Sequence, residues 1–267
     1  MIEVIKQQFT PAMSDAEKLN RTREFLQIMA LKNLSDQDAF SNVAFVGGTA
    51  LRVLYDLRRF SEDLDFSLVS GKGYDFEKMM AKMQRYFELN NLPVESKPKI
   101  DKTVHSAFIK FPGLPKELGL GAFAAQKLAI KLEVDTNPPK GWQTANTTLN
   151  KTYIFNVTHF DLPSLFATKL HACFFRKYIK GRDFYDLVWY LGKKIKPNLD
   201  LLNNAIEQTE GNNIGLTEKT LPNFMLQRLE KVDFSAAVKD VQRFVEDDKE
   251  LRIINRDAIQ ALIKNLP

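Results

Sequence analysis

The sequence predicts an α+β fold, in which a mixed sheet with helices is followed by an all-helical C-terminal region. Before about residue 160, short β-rich runs alternate with helical patterns, and Pro, Gly and Asn separate them. From Asp161 onward no convincing strand pattern occurs, and apolar residues recur at helical spacing. The 267 residues, 44% of them hydrophobic, suffice for one large domain or two modest ones. We expect a sheet domain over residues 1–160 and a helical bundle over residues 161–267.

The N-terminal part begins with an amphipathic helical pattern over about Asp15 to Leu34. An apolar strand is predicted at Val43–Val46, followed by a Gly-Gly pair and a helix from Thr49 to about Arg58. The segment Ser61–Leu68 partly alternates acidic and apolar residues, as in a strand that is buried on one face. This order predicts a strand–turn–helix–strand unit.

The remaining elements follow the same reasoning. A helix is predicted over Tyr74 to Asn90, and further β-like segments lie around Val94–Lys97, Thr103–Phe111, Leu128–Asp135 and Tyr153–Val157. Helical spacing is found in residues 161–176, 183–193, 198–209, 217–231, 234–247 and 254–265.

Composition limits the chemistry. The single cysteine, Cys173, cannot form an internal disulfide, and with three scattered histidines it leaves no zinc-type ligand cluster. A catalytic metal would therefore sit on carboxylates, which favours Mg²⁺ or Mn²⁺.

The net charge of +5 suits a polyanionic partner without identifying one. No apolar stretch approaches the roughly 20 residues of a membrane span and no signal peptide is visible, so a cytoplasmic protein without membrane contact is expected.

Gly47 and Gly48 are the first candidate site residues. Two glycines at the end of a strand let the backbone approach an anion, and the next helix aims its free N–H groups at the same place, with Thr49 as the predicted N-cap. A Gly-Gly pair is often only a turn. Followed by one helix and an Asp-x-Asp strand, however, it predicts a phosphate-binding turn.

Asp63 and Asp65 are the second candidates. One residue separates them, so on a strand both carboxylates point to one face while Leu64 points to the core. That face can chelate Mg²⁺, although an isolated Asp-x-Asp is more often a solvated strand end. The combination with the Gly-Gly turn favours a nucleotidyl- or phosphoryl-transfer site.

Two blocks of sequence resemble a known family. Residues 45–69, FVGGTALRVLYDLRRFSEDLDFSLV, resemble the nucleotidyltransferase superfamily and, through GGTALR and RFSEDLDFSL, the AbiEii/AbiGii group of type IV toxin-like nucleotidyltransferases. Residues 165–191, LFATKLHACFFRKYIKGRDFYDLVWYL, are similar to the lysine-bearing helix and Arg-Asp-x-x-Asp segment of that family. The resemblance spans both halves of the chain and implies a nucleotidyltransferase-like sheet domain.

The resemblance implies a third acid on a neighbouring strand. In Ile130–Asp135, alternation places Lys131, Glu133 and Asp135 on one face. Similarity to family members favours Glu133 as the third metal ligand, while Asp135 lies two residues along the same face and could serve instead. A solvated strand face with a Lys–Glu pair is the alternative that needs no metal.

Lys169 interrupts an apolar stripe on the helix from Asp161. It could snorkel at the edge of the core, or reach a triphosphate with help from Arg176, and the family match favours the second. The same match implies that Asp183 or Asp186 positions Lys169 or contacts the nucleotide, with Asp183 the first choice. Ordinary stabilisation of a helix by an Arg182–Asp186 pair is the alternative.

The resemblance implies Mg²⁺-dependent transfer of a nucleoside monophosphate from a nucleoside triphosphate, bound between the predicted domains, to an acceptor. RNA, with tRNA 3′ ends as a target among relatives, is the implied acceptor, and growth inhibition countered by a cognate antitoxin is the implied role. A protein or small-molecule acceptor, or a nucleotide- or RNA-binding module without transfer, are the alternatives. Basic residues could line an RNA-facing surface or merely solubilise the chain: Arg58, Arg59, Lys97, Lys99, Lys193, Lys194 and Lys196.

Overall fold

The computed structural model of the protein describes residues 1–266. Within them one seven-stranded sheet has the strand order β3-β4-β5-β2-β1-β7-β6. The strands are β1 (Val43–Val46), β2 (Asp63–Leu68), β3 (Glu95–Ile100), β4 (Val104–Phe111), β5 (Leu128–Asp135), β6 (Thr144–Asn150) and β7 (Ile154–Phe160). β1 runs antiparallel to β2 and parallel to β7, β2 runs parallel to β5, and β4 runs antiparallel to β3 and β5. The sheet is therefore mixed, as predicted.

Apart from the short helices Ile2–Lys6 and Leu114–Glu117, which were not predicted, the helices follow the predicted order with boundaries shifted by a few residues. They are α1 (Ile2–Lys6), α2 (Asp15–Asp36), α3 (Gly47–Tyr55), α4 (Phe76–Leu89), α5 (Leu114–Glu117), α6 (Leu162–Phe175), α7 (Gly181–Gly192), α8 (Leu199–Glu210), α9 (Leu221–Leu229), α10 (Phe234–Val241) and α11 (Arg256–Lys264). Capping explains several starts. Ser14 and Glu17 form a reciprocal capping box on α2, and Asp161 accepts a hydrogen bond from the Ser164 amide at the start of α6.

The chain packs as two compact units. The first consists of residues 1–50, 60–137 and 146–159, and the second of residues 51–59, 138–145 and 160–266. A single boundary after residue 160 would assign residues 51–59 and 138–145 to the first domain, whereas both segments belong to the second unit. The division into two continuous domains remains a prediction.

Each unit has its own apolar core. In the first, alternate residues of β5 are buried, among them Ile130, Leu132 and Val134, while their neighbours are half-exposed. In the second, the Phe166 and Tyr190 rings stack with centroids 4.3 Å apart. The α+β class and the helical C-terminal region are confirmed.

β6 was not predicted. Its sequence, TANTTLN, is polar and lies at the edge of the sheet, where only Leu149 is buried. An edge strand of this kind lacks the apolar alternation on which the prediction depends. No helix within residues 1–266 combines the length and apolarity that crossing a membrane requires.

Candidate active site

The Gly47 turn brings the end of β1 against the carboxylate of Asp65. Gly47 follows Val46 directly and has a left-handed φ of 79°. A Cβ atom at this position would overlap Oδ2 of Asp65. The glycine is therefore required twice, by its backbone conformation and by the close approach of a candidate metal ligand. Gly48 follows as the second residue of α3.

Thr49 is not the N-cap that the sequence suggested. It is the third residue of α3 and is fully buried, and its hydroxyl donates a hydrogen bond to the carbonyl oxygen of Asp63. The left-handed Gly47 lets α3 begin directly at the end of β1, so Thr49 lies inside the first turn. Its side chain ties α3 to the first residue of β2, which carries the acidic pair.

Asp63 and Asp65 lie on one face of β2, and Leu64 between them is buried. In the parallel register with β5, Asp63 is paired with Lys131, Asp65 with Glu133, and Ser67 with Asp135. Paired residues of neighbouring strands point to the same side of a sheet, so Glu133 stands beside Asp65 on the same face. Asp135 lies two residues further along β5, on the same face.

The two candidates for the third acid have different surroundings. Glu133 Oε1 is 2.8 Å from the ammonium of Lys131, the Lys–Glu pair that the strand pattern allowed. Asp135 accepts a hydrogen bond of 2.9 Å from the Asn137 amide. Burial raises the pKa of Asp135 above its usual value, and the Asn137 hydrogen bond opposes the shift only in part.

The acidic face supplies oxygen ligands of the kind that Mg²⁺ and Mn²⁺ prefer. Among residues 1–266, no three acidic, histidine or cysteine side chains stand close enough together to form a complete metal site. The fit to a metal therefore rests on the Asp63–Asp65 pair, on the register of Glu133, and on the space that Gly47 leaves beside Asp65.

A buried ion cluster occupies the second unit. We give this name to Arg59, Lys169, Asp183 and Asp186. Lys169 is 8% exposed, and its ammonium lies 2.7 Å from Asp183 Oδ1 and 2.8 Å from Asp186 Oδ2. A lysine with two buried carboxylate partners does not snorkel. Both acids lie in α7, so the Arg-Asp-x-x-Asp segment holds the lysine of α6 in one place.

Arg59 is the member that the sequence did not reveal. Its Nε and Nη2 atoms each donate to a different oxygen of Asp186 at 2.6 Å, and the side chain is 2% exposed. The idea that Arg59 belongs to an RNA-facing surface is therefore wrong. One signal could have found it: Asp186 lies within the apolar run FYDLVWYL, where a buried acid requires a cation.

Arg176 is the exposed neighbour of the cluster. Its Nη1 donates to Asp183 Oδ2 at 2.7 Å, and 46% of its side chain is exposed. Burial alone would raise the pKa of Asp183, but the charges of Lys169 and Arg176 outweigh it and hold that pKa below its usual value. Burial alone would lower the pKa of Lys169, yet Asp183 and Asp186 raise it, so the lysine stays charged.

Cys173 has no features of a nucleophile. It is buried, its thiol donates to the carbonyl oxygen of Asp183 at 3.3 Å, and burial raises its pKa well above the usual value. The thiolate that nucleophilic attack needs is therefore disfavoured.

Comparison with known proteins assigns the family. The model of the family described as "Nucleotidyl transferase AbiEii toxin, Type IV TA system" matches residues 29–265. Among solved structures, a proposed nucleotidyltransferase from H. pylori is 20% identical with a TM-score of 0.54, and the match covers 91% of this chain and 94% of that one. JHP933 from Helicobacter pylori gives the same identity and TM-score, with 92% and 93% covered. These two likenesses support the fold.

No curated protein matches the chain significantly. The chain belongs to the AbiEii family of nucleotidyl transferase toxins.

Proposed function

We propose that this nucleotidyl transferase moves a nucleoside monophosphate from a nucleoside triphosphate to an acceptor, with Mg²⁺ or Mn²⁺ held by Asp63 and Asp65. The observation that carries the proposal is the acidic face of β2 and β5, where Asp65 is in register with Glu133 and lies against the Gly47 turn. Glu133 is the proposed third ligand because of this register, and Asp135 is the alternative. A bound divalent ion supplies charge neutralisation on the phosphates and activation of the attacking oxygen.

The chain's own residues would bind and orient the triphosphate. Gly47 and Gly48 open α3, whose first N–H groups and positive dipole end favour an anion. Lys169 is proposed to contact the departing pyrophosphate, with Arg176 as the more accessible cation beside it. Asp183 and Asp186 are proposed as positioning residues, since both are buried and hold the ammonium of Lys169.

RNA is the proposed acceptor, with tRNA 3′ ends as the first target to examine. Family membership supports a growth-inhibiting toxin that is countered by a cognate antitoxin. We place this activity in the cytoplasm, where nucleoside triphosphates and tRNA are both found.

The test is a transfer assay with purified protein, Mg²⁺, each radiolabelled nucleoside triphosphate in turn, and total bacterial RNA. The site variant is Asp63→Asn/Asp65→Asn. Its control is Asp200→Asn/Asp257→Asn, which makes the same charge change at exposed acids in the first turns of α8 and α11. The proposal expects label in RNA with the wild type and the control, and none with the site variant.

Each other outcome contradicts a defined part of the proposal. Transfer by the site variant would remove Asp63 and Asp65 from the mechanism. Label in protein or in a small molecule, with none in RNA, would overturn the acceptor and leave transfer standing. A folded wild type that binds no nucleotide in the presence of Mg²⁺ would overturn transfer itself.

A further inference from the structure

An exposed basic loop joins α6 to α7. We define the basic loop as Arg176–Lys180, with the sequence RKYIK, and all five residues are exposed. Three of them carry a positive charge, and the Tyr178 side chain is 72% exposed. The Lys177 ammonium lies 5.5 Å from the centroid of the Tyr178 ring. Cations and a planar ring are thus presented together.

Both ends of the basic loop are anchored. At its start, Arg176 is paired with Asp183. At its end, the Gly181 amide donates to Asp240 Oδ2 at 2.8 Å, and a Cβ on Gly181 would overlap the carbonyl group of Ala237. The close packing of Gly181 fixes the position at which α7 begins. Fixed ends hold the exposed side chains in one region.

A column of planar groups begins one residue before the basic loop. The His171 and Phe175 rings stack with centroids 5.2 Å apart, and Phe175 stacks on Phe224 at 5.9 Å. The Arg228 guanidinium lies 4.8 Å from the Phe175 centroid and 5.3 Å from that of Phe224. His171, Phe175, Phe224 and Arg228 are all partly exposed. We call them the aromatic column.

We propose that the basic loop and the aromatic column bind single-stranded nucleic acid. Such strands are held by cations that follow the phosphates and by rings on which unpaired bases stack, and this surface offers both. Tyr178 is the proposed stacking platform, and Lys177 and Lys180 are the proposed phosphate contacts. The inference rests on the proposed function in one respect, that the bound strand is the acceptor.

A membrane surface is the less suitable partner. Insertion into lipid requires a substantial apolar face, whereas Ile179, 42% exposed, is the only aliphatic side chain of the basic loop. A duplex is also less suitable, because its bases are already stacked on one another and cannot stack on Tyr178.

Binding can be measured without transfer. Fluorescently labelled single-stranded RNA and single-stranded DNA of about 12 nucleotides, a length within the usual site sizes, are titrated by anisotropy with no nucleoside triphosphate or metal. A duplex of the same sequence and anionic phospholipid vesicles serve as competitors. The variants are Tyr178→Ala, Tyr178→Phe and Lys177→Ala/Lys180→Ala. The control Lys102→Ala/Lys110→Ala removes two exposed charges elsewhere.

The proposal expects Tyr178→Ala to weaken single-strand binding about tenfold and Tyr178→Phe to restore it, since stacking needs only the ring. Lys177→Ala/Lys180→Ala should lower the slope of log K against log salt by about 1.4, for two lost phosphate contacts, and the control should not. Stronger binding of RNA than of DNA would identify the strand as RNA.

Equal binding by Tyr178→Ala and the wild type, equal salt slopes in both lysine variants, or preferential competition by vesicles or duplex would each overturn the inference. These results are independent of catalysis. Loss of transfer with intact strand binding by the wild type would contradict the proposed function alone, and unchanged strand binding by the Tyr178 and lysine variants would contradict this surface alone.

Discussion

Arg59 and Asp186 form a two-point ion pair from which water is excluded, with both N···O distances at 2.6 Å and the Asp186 side chain 0% exposed. The same carboxylate also accepts the ammonium of Lys169 at 2.8 Å. Two cations therefore share one buried acid, and Asp183 balances the remaining positive charge. The geometry of Lys169 depends on residues that are distant in the sequence.

Arg59→Met should lower the free energy of unfolding by about 3 kcal/mol, because it leaves a buried carboxylate without one of its cations. Arg58→Met is the matched control. Arg58 is 65% exposed and pairs with Glu250 at 2.9 Å, so its loss should cost about 1 kcal/mol or less. Urea unfolding of both variants measures the difference. If both variants lose the same free energy of unfolding, burial of the Arg59–Asp186 pair does not make it more important for stability than the exposed Arg58–Glu250 pair.

Gly47→Ala should abolish transfer, since its Cβ would displace the Asp65 carboxylate. Gly73→Ala is the control, because Gly73 has a φ of 78° against 79° at Gly47 but no atom within 4 Å of the added Cβ. Both variants carry a left-handed alanine that costs about 1 kcal/mol. Thermal unfolding and transfer assays on both proteins separate strain from displacement. Active Gly47→Ala enzyme would mean that the contact with Asp65 is unimportant.

Glu133→Gln should reduce kcat by about 100-fold or more, because loss of a metal ligand removes several kcal/mol of transition-state stabilisation. Asp135→Asn should have a much smaller effect, since Asp135 pairs with Ser67 and not with an acid of β2. Transfer rates and Mn²⁺ affinity decide between the two. The reverse order of effects would assign Asp135 as the third acid.

Lys169→Ala should weaken nucleoside triphosphate binding about tenfold or more, the loss expected for one charged hydrogen bond. Calorimetry in the presence of Mg²⁺ measures the affinity. Arg59→Met is the comparison, because it disturbs the same buried ion cluster while keeping the lysine. If both variants bind nucleotide like the wild type, Lys169 has a structural role alone.

Asp183 should contribute to acid unfolding. Burial opposes its ionisation, but Lys169 and Arg176 prevail, so its pKa is lower in the folded chain than in the unfolded one. The stability from such a carboxyl is present above the unfolded pKa of about 4 and is lost as the pH falls through the folded pKa. Asp183→Asn should therefore be less stable near neutral pH and should lose less stability below about pH 4. Urea midpoints across this range measure the slope, and an unchanged acid slope would contradict the assignment.

Local features of this protein can be predicted from residues that are close together in the sequence. Alternation placed β5 at Leu128–Asp135, an apolar run placed β1 at Val43–Val46, and the one-residue spacing of Asp63 and Asp65 put both on one face. These predictions use residues that are only a few positions apart. Over that distance the geometry of a helix or strand backbone sets how often a side chain returns to the same face. The two family-like blocks, residues 45–69 and 165–191, lie within the matched range.

Contacts between residues that are far apart in the sequence depend on the folded chain and could not be predicted. The neighbour of Asp65 depends on the strand order, which places β5 beside β2 and Glu133 in register. The partner of Asp186 lies 127 residues away at Arg59. The polar edge strand β6 likewise carries no local pattern of its own. The cause is common to these cases. Periodicity indicates which face of a helix or strand is buried, whereas long-range packing sets which element lies against that face, and the pattern of a single sequence does not contain this information.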